Sequence, residues 1–156
     1  MNQPESPQEV QHIRHILTRD LDALAHEVEA TSDDLLWKGV PGFPNSVGTL
    51  AIHLCGNLRH FIGHEIGGDR FERDRNAEFS GHPLPKTTLL AEIQTAQKVV
   101  NNVLTALPPA QLDAPMPNPP PHHRGRSIRF FLMQLSCHLS RHNGQANALR
   151  RILTAR

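Results

Sequence analysis

Apolar residues recur along this chain in steps of three and four, in four separate stretches. The first runs Val10, Ile13, Leu17, Leu21, Leu24 and Val28, which is one stripe on one face of a helix. Ser6-Pro7-Gln8-Glu9 ahead of it has the capping-box pattern, with proline at the first helical position. The polar Thr31-Ser32-Asp33-Asp34 marks its end. Gly39, Pro41, Gly42 and Pro44 then break the chain. Asn45 or Ser46 can cap a second helix with the stripe Val47, Leu50, Leu54, Leu58 and Phe61, which Gly67-Gly68 should stop. From Asp69 to Phe79 both charge signs are dense, the pattern of an exposed connection, and Pro83 and Pro85 close it.

Thr87 or Thr88 begins a third helix, with Leu89, Ile93, Ala96, Val100, Val103 and Leu107 sharing a face until Pro108-Pro109 ends it. Seven prolines fall between Pro108 and Pro121, so this stretch is a long extended connection. Ser127 caps a fourth helix, whose buried side carries Ile128, Phe131, Leu135, Leu149 and Ile152 or Leu153. No segment alternates with period two, so no sheet is expected. The spacing predicts an all-α fold: a four-helix bundle in which each helix buries its single stripe against the others. The 108–126 connection is long enough to be a crossover that places consecutive helices out of adjacent order.

Composition narrows the function classes. With 156 residues, 38% hydrophobic and 20% charged, residues 1–156 read as one globular domain with a core of its own. A formal net charge of +1 gives no electrostatic case for nucleic acid or an anionic membrane. No apolar run approaches a membrane span and no signal segment opens the chain, so a cytoplasmic location is expected. Two cysteines, Cys55 and Cys137, are too few for a disulfide framework. The unusual number is 11 histidines, against no tyrosine and one tryptophan.

Two of those histidines stand where the fourth stripe elsewhere carries leucine: Phe131, Leu135, His138, His142, Leu149. Four residues apart on a helix, their Cβ atoms are roughly 5–6 Å from one another. That separation lets two imidazoles converge on one ion at about 2.0–2.1 Å each. Buried imidazoles need partners for both nitrogens, and a metal satisfies one on each ring. A third ligand should come from a facing helix, where His53 at the edge of the second stripe ranks first, ahead of His60 and then His64. Cys55 and Cys137 point elsewhere around their helices. Leu139 follows His138, so the pair has no glutamate between its members and the HExxH mechanism is excluded. Asn57, one turn from His53, and Gln145, one turn from His142, are candidates to orient the imidazoles. The basic run His122, His123, Arg124, Arg126 and Arg129 reads as a solvated loop and helix start, and Trp37 as a packing anchor for its loop.

These segments resemble the DinB-like family of damage-inducible and YfiT-type metal proteins. Ser46-Val47-Gly48-Thr49-Leu50-Ala51-Ile52-His53-Leu54 is similar to the family's first motif, and His138-Leu139-Ser140-Arg141-His142-Asn143-Gly144-Gln145 to its second. The runs 56–63 and 73–79 are similar to a narrower bacterial branch. The resemblance implies an up-down-down-up bundle, often dimeric, and one divalent ion held by His53, His138 and His142, with nickel or zinc leading. Relatives of that kind include metal-dependent thiol transferases and a maleylpyruvate isomerase that use low-molecular-weight thiols. Two functions are therefore expected to compete: a metal-dependent transferase acting on a small thiol and an electrophile, or a non-catalytic, stress-related metal-binding module.

Overall fold

The computed structural model describes residues 7–155. Its long helices are α1 (Gln8–Ala30), α2 (Val47–Leu58), α4 (Lys86–Ala106) and α5 (Ile128–Thr154). A one-turn helix, α3 (Arg75–Glu78), lies between the second and third of these. Among the described residues there is no strand, only an isolated bridge between Pro115 and Ser127. Among the described residues no helix is long and apolar enough to cross a membrane.

The polar links between helices fix their directions. Arg14 reaches Thr105, Gln97 reaches Asp22, and Lys86 meets Asp33, so α1 and α4 run antiparallel. Arg129 pairs with Glu9, Asn143 donates to the Asp20 carbonyl, and Arg150 pairs with Glu27, so α5 runs parallel to α1. Phe61 packs at a tilt against Phe131 while His53 meets His138, which sets α2 antiparallel to α5. Arg59 bonds Glu92, and Val99 lies against Gly63, so α4 descends alongside α2. The order is up, down, down, up. Each of α1 and α2 packs on both α4 and α5, and the proline-rich stretch is the crossover between the last two. It is not an idle strap: its own Leu112 and Met116 are buried.

The stripes pack as their spacing requires. Val10, Leu17, Leu21, Leu24, Leu50, Leu54, Ile93 and Leu149 are all buried in one core. Ser46 is the cap of α2, its Oγ accepting from the Thr49 amide, and Ser127 does the same for α5 with Phe130. Gly48 has no side chain because Trp37 occupies its place: a Cβ there would sit 2.8 Å from the indole ring.

Several boundaries differ from the pattern reading. Ser6 lies outside the described residues, and Pro7 stands at the N-cap with Gln8 as the first helical residue. The third long helix opens at Lys86 behind Pro85, and its stripe turns Leu104 inward while leaving Val103 half-buried. Near the end of α5, Ile152 is 48% exposed and Leu153 takes the inner position. The second helix continues past Leu58 as a π-helical segment, Arg59–Ile66, capped by Gly67. Phe61, Ile62 and Gly63 are consecutively buried there. In an α-helix three neighbours spread over about 200°, and the wider turn gathers them toward the core. Residues 69–79 are not simply an exposed connection. Glu78 within them is only 5% exposed, and it faces the histidines.

Candidate metal centre

The site forms where α2 crosses α5. His53 comes from α2, and His138 and His142 lie one turn apart on α5. One ligand nitrogen from each can be chosen so that all lie within 4.8 Å of one another. The rings meet edge to face: His53 makes 75° with His138 and 88° with His142, at centroid distances of 5.2 and 5.4 Å. His138 and His142 are 4.6 Å apart at 86°. Nε2 of His53 lies 3.3 Å from Nε2 of His138.

The outward nitrogens are already engaged. Nδ1 of His53 lies 3.1 Å from Glu78 Oε2, and Nδ1 of His142 lies 2.5 Å from Gln145 Oε1. Both partners are acceptors, so each Nδ1 carries the proton and each Nε2 is left as a bare lone pair. Arg73 fixes the carboxylate from behind, with Nε 2.6 Å from Oε1 and Nη2 2.8 Å from Oε2. The same Nη2 is 3.3 Å from His53 Nδ1. A guanidinium has only donors, so with Nδ1 protonated this is a close approach and not a bond. Burial works to raise the Glu78 carboxyl, but its bonds to His53 and Arg73 and the Arg73 charge outweigh it and hold the acid below its ordinary range. An ionised Glu78 in turn favours the tautomer of His53 that exposes Nε2.

Electrostatics favour the neutral form of His138 and His142. Burial, then the neighbouring His142 and His53, push His138 down to about 4. Burial lowers His142 as well, with the Gln145 bond partly opposing it. Neutral imidazole is the form that ligates metal. His53 Nε2, left as a lone pair, lies 3.3 Å from His138 Nε2, where it can accept a hydrogen bond from the neutral His138 ring or share a cation with it. An ion about 2.0–2.1 Å from each nitrogen could be held across that separation. The donor set and its spacing therefore fit a divalent ion with a position left open.

The rivals for the third position go elsewhere. His60 and His64 stack on each other at 5.9 Å and 14°, and His60 faces Glu65 at 3.7 Å. Cys55 is buried, and burial followed by the Glu92 charge pushes its thiol far above the usual range, so it supplies no thiolate. Cys137 is exposed on α5. Of the two supporting amides, Gln145 bonds His142, whereas the buried Asn57 Oδ1 has no partner. Beside the imidazoles opens a cavity of about 450 Å³, with Asn57, Phe61, Phe131 and Leu135 in its wall.

Glu78, Arg73 and Gly56 form the part of the site that periodicity did not reveal. Gly56 is on α2, one turn after His53 on the same side of the helix, and a Cβ on it would lie 2.1 Å from Glu78 Oε1. Only a glycine leaves room for the carboxylate. Gly56→Ala is expected to displace Glu78 and weaken zinc binding by about 10-fold or more, the range for losing a group behind a ligand. The helix itself should gain up to about 1 kcal/mol. A calorimetric zinc titration in which affinity stays at the wild-type value would sink this account.

The comparison with protein families agrees with the geometry. A family model described as mycothiol-S-transferase matches residues 12–155. The chain belongs to the mycothiol-S-transferase family. That family is of the DinB and YfiT-like kind, as the two histidine segments suggested. No curated protein matches the chain. The match spans all four long helices but for the first residues of α1, and so takes in every residue of the site. Membership in this mycothiol-S-transferase family suggests a thiol-transferase-like role, with three histidines that could hold a metal ion.

Proposed function

We propose that His53, His138 and His142 hold one divalent ion, zinc or nickel by preference, and that the protein transfers a low-molecular-weight thiol to an electrophile. The observation that carries the reading is the convergence of three imidazoles, two of which line a 450 Å³ cavity, in a chain of this family. Three nitrogen ligands and no thiolate characterise exchangeable rather than closed structural sites. When bound, the ion supplies Lewis-acid chemistry, lowering the pKa of a thiol in its open position so that the thiolate forms near neutral pH.

The chain's own residues do the rest. Glu78 and Gln145 hold the Nδ1 protons of His53 and His142, which keeps both Nε2 lone pairs aimed at one point. Leu135, Phe61 and Phe131 line the cavity with apolar surface that excludes water from the sulfur. In the net reaction the thiol proton passes to solvent and the S–C bond forms. The leaving group departs with its bonding pair. Mycothiol itself, by the family's name, is the thiol to try first.

The test is consumption of a benzylic chloride by zinc- or nickel-reconstituted protein in the presence of mycothiol or N-acetylcysteine. Turnover should require thiol, vanish with chelator and return with metal. Bound metal without any turnover across such a panel would leave a metal-binding module in place of an enzyme.

A further inference from the structure

We propose that the cavity beside the three imidazoles selects an electrophile carrying a carboxylate, with the Arg75 guanidinium as its counter-charge. This rests on the thiol-transfer reading and names the chemical class of the second substrate.

Two cavities of similar size lie on either side of the 71–78 stretch, and their charges are opposite. The one beyond α2, about 470 Å³, is lined by Glu72, Asp74, Glu78 and Glu92, with no lysine or arginine. The one at the histidines, about 450 Å³, is lined by Arg73, Arg75, His122 and His123, with no aspartate or glutamate. Of its two full charges, Arg73 is already neutralised by Glu78. Arg75 is not. Among the described residues it makes no ion pair, and its guanidinium lies 5.2 Å over the Phe79 ring. That ring is in turn 5.0 Å from the His53 imidazole. An unpaired guanidinium therefore stands one aromatic ring away from the proposed reaction centre.

A second observation points to a polar occupant. Asn57 is 8% exposed, its Oδ1 is buried without a partner, and its side chain is part of the same wall. Such an atom is costly to leave unpaired, and a ligand reaching the imidazoles would pass it. Phe61 and Phe131, with ring centroids 4.8 Å apart, give the cavity an apolar side. Arg75 and the apolar side suit a small, partly apolar molecule with one anionic end, while Asn57 Oδ1, an acceptor, offers a place for a donor group and not for the carboxylate. An arginine fork recognises a carboxylate through paired hydrogen bonds, which an uncharged amide of the same shape cannot match.

Cinnamate and its uncharged isostere cinnamamide are suitable probes. Each is titrated into zinc-loaded and into chelator-treated full-length protein, wild type and Arg75→Gln, with zinc content and circular dichroism recorded. Because Arg75 is exposed, the variant should keep its fold and its metal. Cinnamate is expected to bind at least 10-fold more tightly than cinnamamide in wild type, with or without zinc. In Arg75→Gln that preference should shrink to about 2-fold or less. Equal affinities in wild type, or a preference that survives Arg75→Gln, would overturn the proposal. A preference that appears only with zinc and ignores Arg75 places the carboxylate on the ion, which defeats this inference while leaving the thiol-transfer reading intact. Failure to take up zinc would defeat that reading instead, and the metal-free titration still decides the role of Arg75.

Discussion

His138→Ala is expected to reduce bound zinc or nickel from near one equivalent to almost none, whereas His60→Ala leaves the content unchanged. His138 is the central ligand candidate, 3.3 Å from His53 and one turn from His142, while His60 faces away toward Glu65. Loss of a direct ligand should exceed the 10–100-fold loss typical of a group behind one. The same binding should appear as stability. At free metal about 1,000 times the dissociation constant, the folded state gains about 4 kcal/mol. For a chain of this length that raises Tm by roughly 10 °C, and His138→Ala should show no such rise. Elemental analysis beside a thermal melt reads both. A variant that keeps a full equivalent of metal would remove His138 from the site.

The pH dependence has a definite sign. His138 titrates at about 4 in the fold against 6.5 ordinarily, so between those values the unfolded chain binds the extra proton. Metal-free protein should therefore lose stability as the pH falls from 6.5 toward 4, and this slope should be shallower in His138→Ala, where the lowered His142 still contributes in the same direction. With metal bound, acid also displaces the ion, since protonated imidazole is no ligand.

How much of this was legible in the sequence depends on what periodicity can encode. The stripes on α1 and α2 face the core residue for residue because burial of one helical face is a one-dimensional pattern. His138 and His142 were visible for the same reason, as polar residues in leucine positions. The direction of each helix was available only through the family resemblance, and ion pairs such as Arg150 with Glu27 now account for it physically. Glu78 was hidden because a carboxylate in a run of mixed charges looks the same whether it meets solvent or a histidine 25 positions earlier. Gly56 was hidden for a related reason: an absent side chain matters only once the group that needs the space is known. The π-helical continuation has no pattern of its own, since Phe61, Ile62 and Gly63 read as ordinary helix.

Glu78→Ala is expected to have two separable effects. Arg73, its side chain only 10% exposed, would lose its counter-charge, and breaking a buried pair in this way costs about 3–5 kcal/mol. His53 would lose the acceptor that fixes its Nδ1 proton, which should weaken metal binding by about 10–100-fold. The double variant Arg73→Leu/Glu78→Leu separates them. With no charge left unpaired, most of the stability should return, because a buried ion pair is often matched by apolar packing. Metal affinity should not return, because nothing then orients His53. Urea unfolding of metal-free protein and a zinc titration measure the two terms independently. The wild-type pair should also show its own acid sensitivity. The Glu78 carboxyl is held below 4.5, so its contribution is present above that pH and is lost as the pH drops through its lowered value. If the double variant binds zinc as tightly as wild type, Glu78 is a structural partner of Arg73 alone, and His53 reaches the ion without its help.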